Sequence, residues 1–260
     1  MADADELLEP LEWDSRHFGR RVERTRPGDL DEGALAEALE RARARGTRLV
    51  YHFRSPAAPL SRDLLDRFGG LRVCTQMRFA KDLGSEPAIA PPDGVRIAPT
   101  DQREASDVMR EVALVAGETS RFRVDPGIPD ERFEALYRLW VDRSFRREIA
   151  DRVMRVTEAD GSEIGFLTVV FHPPEFGQLG IGGLSDRARG RGIGPALFTA
   201  AEREIARAGL PRSEVATQRE NEPACRLYVS LGYHAILEED AYHFHLGDAP
   251  LSPAQEPDRP

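Results

Sequence analysis

The sequence predicts a mixed fold of the α/β (α+β) class, with an additional smaller α/β lobe ahead of the main domain. Three observations predict it. Apolar runs of strand length alternate with amphipathic runs of helix length along most of the chain. One apolar run, Leu179 to Leu184, stops at a corner rich in glycine and arginine and is followed by an amphipathic helix, Pro195 to Ala208. The chain has 260 residues, 40% of them hydrophobic and 31% charged, which suffices to bury roughly 70–75% of the unfolded surface as one large domain or two lobes.

In the N-terminal lobe, residues 1–83, the order reads strand (Arg20–Thr25), helix (Asp29–Arg45), strand (Arg48–Phe53), helix (Leu60–Phe68) and strand (Leu71–Phe79). Asp29 serves as the cap of the first helix and Gly46 as its stop. Residues 84–94, rich in proline, read as a linker. The main domain, 95–246, opens with a strand (Val95–Ala98) and two helices (Gln102–Val115 and Asp130–Phe145). Strands Arg152–Glu158 and Glu163–Phe171 flank an Asp160–Gly161 corner of hairpin type. Strand Gln178–Leu184, the corner and its helix follow, then strand Glu214–Thr217, a helix from Asn221, and two closing strands near His234–Glu238 and Tyr242–Leu246. The acidic, proline-rich tail 247–260 is expected to be disordered.

A formal charge of −9 argues against a nucleic-acid binder, because phosphate backbones demand a basic face. An anionic ligand must then be met by local arginines, which cluster at Arg187, Arg189 and Arg191 and again at Arg121 and Arg123. Two cysteines, Cys74 and Cys225, make no disulfide framework. No apolar run approaches a membrane span and no signal peptide is legible, so a cytoplasmic protein is expected.

The corner carries the chemistry. N–H groups at a helix N-terminus are unpaired and lie at the positive end of the helix dipole; glycines let that backbone close around a phosphate. A P-loop would need a Gly-Lys-Ser/Thr ending, and the corner holds no lysine; the dinucleotide fingerprint would need glycine where Pro195 stands. What remains is Arg/Gln-x-x-Gly-x-Gly/Ala, filled by Arg189, Gly192 and Gly194. Taken alone, the pattern also fits a glycine-rich turn with solvated arginines. Past the next strand comes Asn221-x-x-Ala224-x-x-x-Tyr228, followed by Leu231-Gly232-Tyr233. By itself this is a well-capped helix with an apolar stripe, ending at glycine.

In this order the two motifs resemble the GNAT superfamily of N-acetyltransferases, over residues 95–246. The resemblance implies the GNAT fold, a central mixed, mostly antiparallel sheet flanked by helices. It implies acetyl-CoA as co-substrate, held by Leu184, Arg189, Gly190, Arg191, Gly192, Ile193, Gly194 and Asn221, with Tyr228 as the catalytic acid and no metal. In the N-terminal lobe, Leu65 to Val73 weakly echoes Tyr228 to Ile236, as a degenerate repeat or by chance.

A narrower resemblance lies in Trp13-Asp-Ser-Arg-His-Phe18-Gly19, in Ser120-Arg121-Phe122-Arg123 with Tyr137-x-x-Trp140, and in Ala216-Thr217-Gln218. These are similar to segments of the dTDP-fucosamine (dTDP-4-amino-4,6-dideoxygalactose) acetyltransferase group. That implies a nucleotide-sugar acceptor whose pyrophosphate is met by Arg121 and Arg123, and leaves a homodimer open. The longer corner Ser185–Ala188 departs from the group, so the donor site carries over more safely than the acceptor. On pattern alone Tyr137 and Trp140 read as core residues of an amphipathic helix. Other acceptors (an antibiotic, polyamine or protein amine) and a non-catalytic acyl-CoA-binding module are the alternatives.

Thioester aminolysis needs a neutral amine, a polarised carbonyl and a proton for the thiolate. An N–H near Leu184 would polarise the carbonyl and Tyr228 would supply the proton. Glu118 and His172 are candidate bases by position. His243 and His245 share a strand face, but the sequence offers no third metal ligand.

Overall fold

In the computed structural model, residues 7–26, 28, 30–84 and 89–247 are described. The expected cap Asp29, the acidic N-terminus and the tail from residue 248 lie outside them, as do residues 85–88 of the expected linker. The described chain forms two compact units that exchange it at Gln76/Met77, Thr119/Ser120, Phe133/Glu134 and Leu237/Glu238, rather than at one cut within 84–94.

The first unit holds β1 (Leu8–Pro10), α1 (Glu12–Phe18), β2 (Val22–Thr25), α2 (Glu32–Ala44), β3 (Leu49–Arg54) and α3 (Arg62–Phe68). It also takes the beginning of β4 (Gly70–Asp82), α5 (Arg121–Val124) and the end of β10 (His234–His245). Its strands run in the order β1-β2-β3-β10-β4; β2 and β3 are parallel, while β1/β2 and β3/β10 are antiparallel. Asp31 caps α2 by accepting the Ala34 N–H at 2.8 Å, so the helix starts two residues past the expected Asp29. Leu35, Ala38, Leu39 and Ala42, at helical spacing, bury one face of α2 in a core with Leu64, Phe68 and Phe244. The Trp13–Gly19 stretch becomes α1, stopped by Gly19 at φ 63°. The two expected closing strands are one continuous strand, β10, which runs on through Glu239 and pairs with β3 from Asp240 onward rather than turning.

His52 of β3 is buried, and its Nδ1 lies 3.0 Å from the Thr25 hydroxyl. Burial, with Arg54 adding to it, lowers its pKa from 6.5 to about 4. The unfolded chain therefore takes up this proton first as pH falls. Stability contributed by neutral His52 is complete above about 6.5 and is lost as pH drops toward 4. The unfolding midpoint should fall across that window, and less steeply in His52→Gln; equal slopes would remove His52 as the source.

The second unit holds the end of β4, β5 (Val95–Pro99), α4 (Asp107–Ala116), most of α6 (Asp130–Phe145), β6 (Arg152–Glu158), β7 (Glu163–His172) and β8 (Phe176–Leu184). After it come α7 (Ile193–Arg207), β9 (Arg212–Gln218), α8 (Glu222–Ser230) and the beginning of β10. Its strand order is β4-β9-β8-β7-β6-β5, with β5 through β8 antiparallel and β8/β9 parallel. The expected class, a mixed and mostly antiparallel sheet flanked by helices, is the observed one. α4 begins at Asp107, later than expected, because the Ser106 hydroxyl caps it through the Met109 N–H. Gly161, at φ 85°, makes the turn between β6 and β7. Among the described residues no helix is long and apolar enough to cross a membrane.

Two irregularities in β8 shape the site. Between Leu167 and Val169 the β7/β8 register shifts: Leu179 faces Val169 and Gly182 faces Leu167, so β8 carries one residue more than β7 there. An extra residue reverses which face later side chains occupy. A Cβ on Gly177 would meet Ile205 of α7 at 2.5 Å, whereas one on Gly183 would meet Val112 of α4 at 3.3 Å. Secondly, β8 pairs with β9 only over Gly177–Leu179, and beyond that point the two strands part.

Candidate active site

A cavity of about 1100 Å³ opens in the second unit where β8 and β9 separate. Its walls come from Gly180–Leu184 and Ala216–Gln218, the corner residues Ala188–Gly190 and Gly192–Gly194, and the α8 residues Ala224, Leu227 and Tyr228. The remaining wall comes from the end of α4, from α6 and Ile149, from Leu167, Thr168 and Val170 of β7, and from Leu197 and Phe198 of α7.

The corner forms a 3₁₀ turn over Asp186–Ala188, then Gly190 and Gly192 at φ 72° and 74°. These left-handed conformations favour glycine, and a Cβ at either position would find no atom within 4 Å. Gly192 caps α7 without a side-chain hydrogen bond, and Pro195 has no N–H to offer. The first-turn donors of a 15-residue helix thus face an open, glycine-walled space. This is a fitting cradle for a pyrophosphate. Arg189 lines the cavity while pairing with Asp186 at 2.9 Å on the surface. Arg191 turns to Glu158 (2.6 Å), and Arg187 donates to the Glu163 carbonyl (3.0 Å). Of the two arginines expected to hold the donor, only Arg189 faces the cavity.

The Ser185 N–H is donated to the Ile164 carbonyl of β7 at 2.8 Å. Successive N–H groups of a strand point to opposite sides, so that of Leu184 points away from β7, toward the parted edge and the cavity. At the bulge the Thr168 hydroxyl donates to the Ile181 carbonyl (3.0 Å). Asn221 caps α8 through the Ala224 N–H (3.4 Å) and lines the cavity. Gly232, at φ 88°, ends that helix as expected.

Tyr228, two turns into α8, is 8% exposed and lines the cavity. Its ring packs against Phe198 (5.2 Å), Phe79 (5.6 Å) and Tyr233 (6.1 Å). Burial, with the nearby Cys225 thiol adding to it, raises its pKa above the ordinary tyrosine value. The hydroxyl therefore stays protonated across the neutral range.

The sequence motif residues Leu184, Arg189, Gly190, Gly192, Ile193, Gly194, Asn221 and Tyr228 all border this cavity, and Arg191 does not. Neither do Arg121 and Arg123, which belong to the first unit. There the Arg121 guanidinium stacks on Tyr51 (4.4 Å), Phe122 (4.6 Å) and Phe53 (5.2 Å). Arg123 pairs with Asp130 and lies over Phe133. Of the candidate bases, Glu118 lines the cavity, whereas His172 is exposed at the end of β7 and contacts Gln178 (3.1 Å).

Residues 125–233 match the acetyltransferase (GNAT) family. Over that span the chain is similar to the GNAT acetyltransferases. A mycothiol acetyltransferase from Thermomonospora curvata is 30% identical over 205 residues, 77% of this chain. The match spans 64% of that relative's length. A GCN5-related N-acetyltransferase structure from Sphaerobacter thermophilus superimposes with a TM-score of 0.56 at 18% identity, covering 94% of this chain and 79% of the other. A tandem GNAT protein from the clavulanic acid biosynthesis pathway gives 0.55 at 16% identity, covering 88% and 76%. The shared property at those identities is the GNAT fold.

The sequence also leaves out a partner for two histidines of the first unit. His243 and His245 converge on Asp125: His243 Nδ1 at 2.5 Å and His245 Nε2 at 3.0 Å. The Gly127 N–H (2.8 Å) completes the shell, and Arg20 stands 3.5 Å from the other nitrogen of His245. Burial alone would raise the Asp125 pKa; the hydrogen bonds from His243 and His245 outweigh it and hold the carboxyl below the usual range. A carboxylate so fully hydrogen-bonded, beside a guanidinium, reads as a closed polar network that pins Ser120–Phe133 to β10. Nothing local in the sequence links position 125 to 243.

Proposed function

We propose that the protein transfers an acetyl group from acetyl-CoA to a primary amine by direct attack. One observation carries the reading: a single cavity borders the uncapped, glycine-walled N-terminus of α7, the parted β8/β9 edges and the Tyr228 side chain. The donor supplies an activated acetyl thioester. The N–H groups of Gly190–Gly194 and the Arg189 guanidinium hold its pyrophosphate, and the free edge of Gly180–Gly183 takes its amide-bearing arm. The Leu184 N–H polarises the thioester carbonyl, stabilising the oxyanion that forms on attack. The amine nitrogen forms the new C–N bond, the C–S bond breaks, and Tyr228 gives its proton to the departing thiolate. The proton shed by the amine leaves through water or a carboxylate, and the tyrosinate is reprotonated. No covalent enzyme intermediate is involved; the Cys225 thiol, raised in pKa by burial, is poorly suited to nucleophilic attack.

Two narrower acceptors deserve direct comparison. A dTDP-linked amino-deoxy sugar is supported by the sequence segments around Trp13 and Ser120–Arg123. A mycothiol-related amine is supported by the similar Thermomonospora protein. Mass spectrometry of reactions with acetyl-CoA and a panel of amines should show an increase of one acetyl group on an amine product. CoA binding with no acetylated amine across the panel would favour a non-catalytic acyl-CoA-binding module instead.

A further inference from the structure

Resting on the acyl-transfer reading, the walls of the cavity beyond Tyr228 carry information about the acceptor. With the corner and the β8/β9 edge assigned to the donor, the remaining wall comes from the end of α4 and one face of α6, together with Ile149, the β7 residues Leu167, Thr168 and Val170, and Leu197 and Phe198 of α7. It holds an aromatic pair, Tyr137 and Trp140, whose ring centroids lie 5.2 Å apart at 56°. Trp140 is half-buried, although helical periodicity alone would make it a core residue. Val115, 43% exposed, extends the apolar wall. Only two charged residues line the whole cavity among those described: Arg189 in the corner and Glu118 at the end of α4. The turn that carries Glu118 is held at its next residue, where the Thr119 hydroxyl donates to the Gln218 side-chain oxygen at 3.0 Å.

The acceptor side is therefore aromatic and apolar, with one carboxylate and no cation. A diphosphate entering there would meet Glu118 as a like charge, and no guanidinium is among the lining residues on that side. An ammonium group would find its counter-charge in Glu118. A flat ring would find faces to cover in Trp140 and Tyr137, burying apolar area without needing hydrogen-bond partners. We infer that Glu118, Tyr137 and Trp140 form a recognition site for a primary amine borne on an unphosphorylated ring, a sugar or an aryl group whose flat face packs on Trp140. Glu118 anchors the ammonium, and the aromatic pair sets the selectivity between amines.

The chain has two tryptophans, Trp13 and Trp140, so Trp13→Phe leaves Trp140 as the sole indole reporter. With CoA bound as an unreactive donor, titrating this variant with methyl glucosaminide or tyramine should shift Trp140 emission saturably. Spermidine and a dTDP-4-amino sugar should not shift it at matched concentration. In steady-state assays Trp140→Ala should raise the acceptor KM at least tenfold, with Trp140→Phe recovering much of the loss, while CoA affinity by calorimetry stays within twofold. Glu118→Gln should weaken the same amine comparably. Larger responses to the sugar ring or to the aryl ring assign the ring type. A higher kcat/KM for the dTDP-amino sugar than for every unphosphorylated ring amine would overturn the inference and leave the acyl-transfer reading standing. An unchanged acceptor KM in Trp140→Ala would do the same. Absence of CoA binding by the wild-type chain would overturn both.

Discussion

Tyr228→Phe is expected to lower kcat by roughly 10²–10⁴-fold, the range for losing a positioned proton donor. The substitution removes one oxygen and keeps the ring, so the contacts with Phe198, Phe79 and Tyr233 persist. The unfolding midpoint should move little. CoA affinity should hardly change, because the hydroxyl acts on the sulfur only as it departs. The raised pKa means that turnover should not decline through loss of the tyrosine proton until well above the ordinary tyrosine range. A packing role would give the reverse pattern, with normal turnover and lost stability. Measuring kcat, CoA affinity and the midpoint on one preparation separates the two, and wild-type turnover in the folded variant would take Tyr228 out of the mechanism.

Gly192→Val should weaken CoA binding at least tenfold, about 1.4 kcal/mol by affinity arithmetic. The position is left-handed at φ 74°, where a β-branched residue is strained by roughly 1–2 kcal/mol. No protein atom lies within 4 Å of an added Cβ, so the fold has room for the side chain. What it obstructs is the space into which the first N–H groups of α7 point. Gly192→Ala should fall between wild type and Gly192→Val. A folded valine variant with unchanged CoA affinity by calorimetry would show that the pyrophosphate does not sit at this corner.

Much of the candidate site is legible in the sequence because its determinants are local. Two glycines at left-handed turns, a helix with no capping side chain, and a tyrosine seven residues past the cap Asn221 are features of short segments. Boundaries were less legible where a cap lay a few residues from the expected one. Asp31 and Ser106, not Asp29 and Gln102, start their helices, since capping depends on which side chain reaches the first free N–H. The continuous β10 was hidden because pairing with β3, not local propensity, carries it through Asp240 and Ala241.

The class of fold, the alternation of elements, the glycine corner and the spacing that places Tyr228 on α8 are written in local sequence. Helix periodicity, caps and positive-φ glycines act within a few residues and survive any tertiary arrangement. Long-range packing settles which of these groups meet. The extra residue of β8 and its parting from β9 arise from strand register, which is set by long-range pairing. The same packing brings Glu118, Tyr137 and Trp140 to the wall of the Tyr228 cavity. It commits Arg121 to an aromatic stack and Asp125 to two histidines more than a hundred residues away. Periodicity shows that a helix has a buried face; only the neighbour packed against that face determines whether it meets core or cavity.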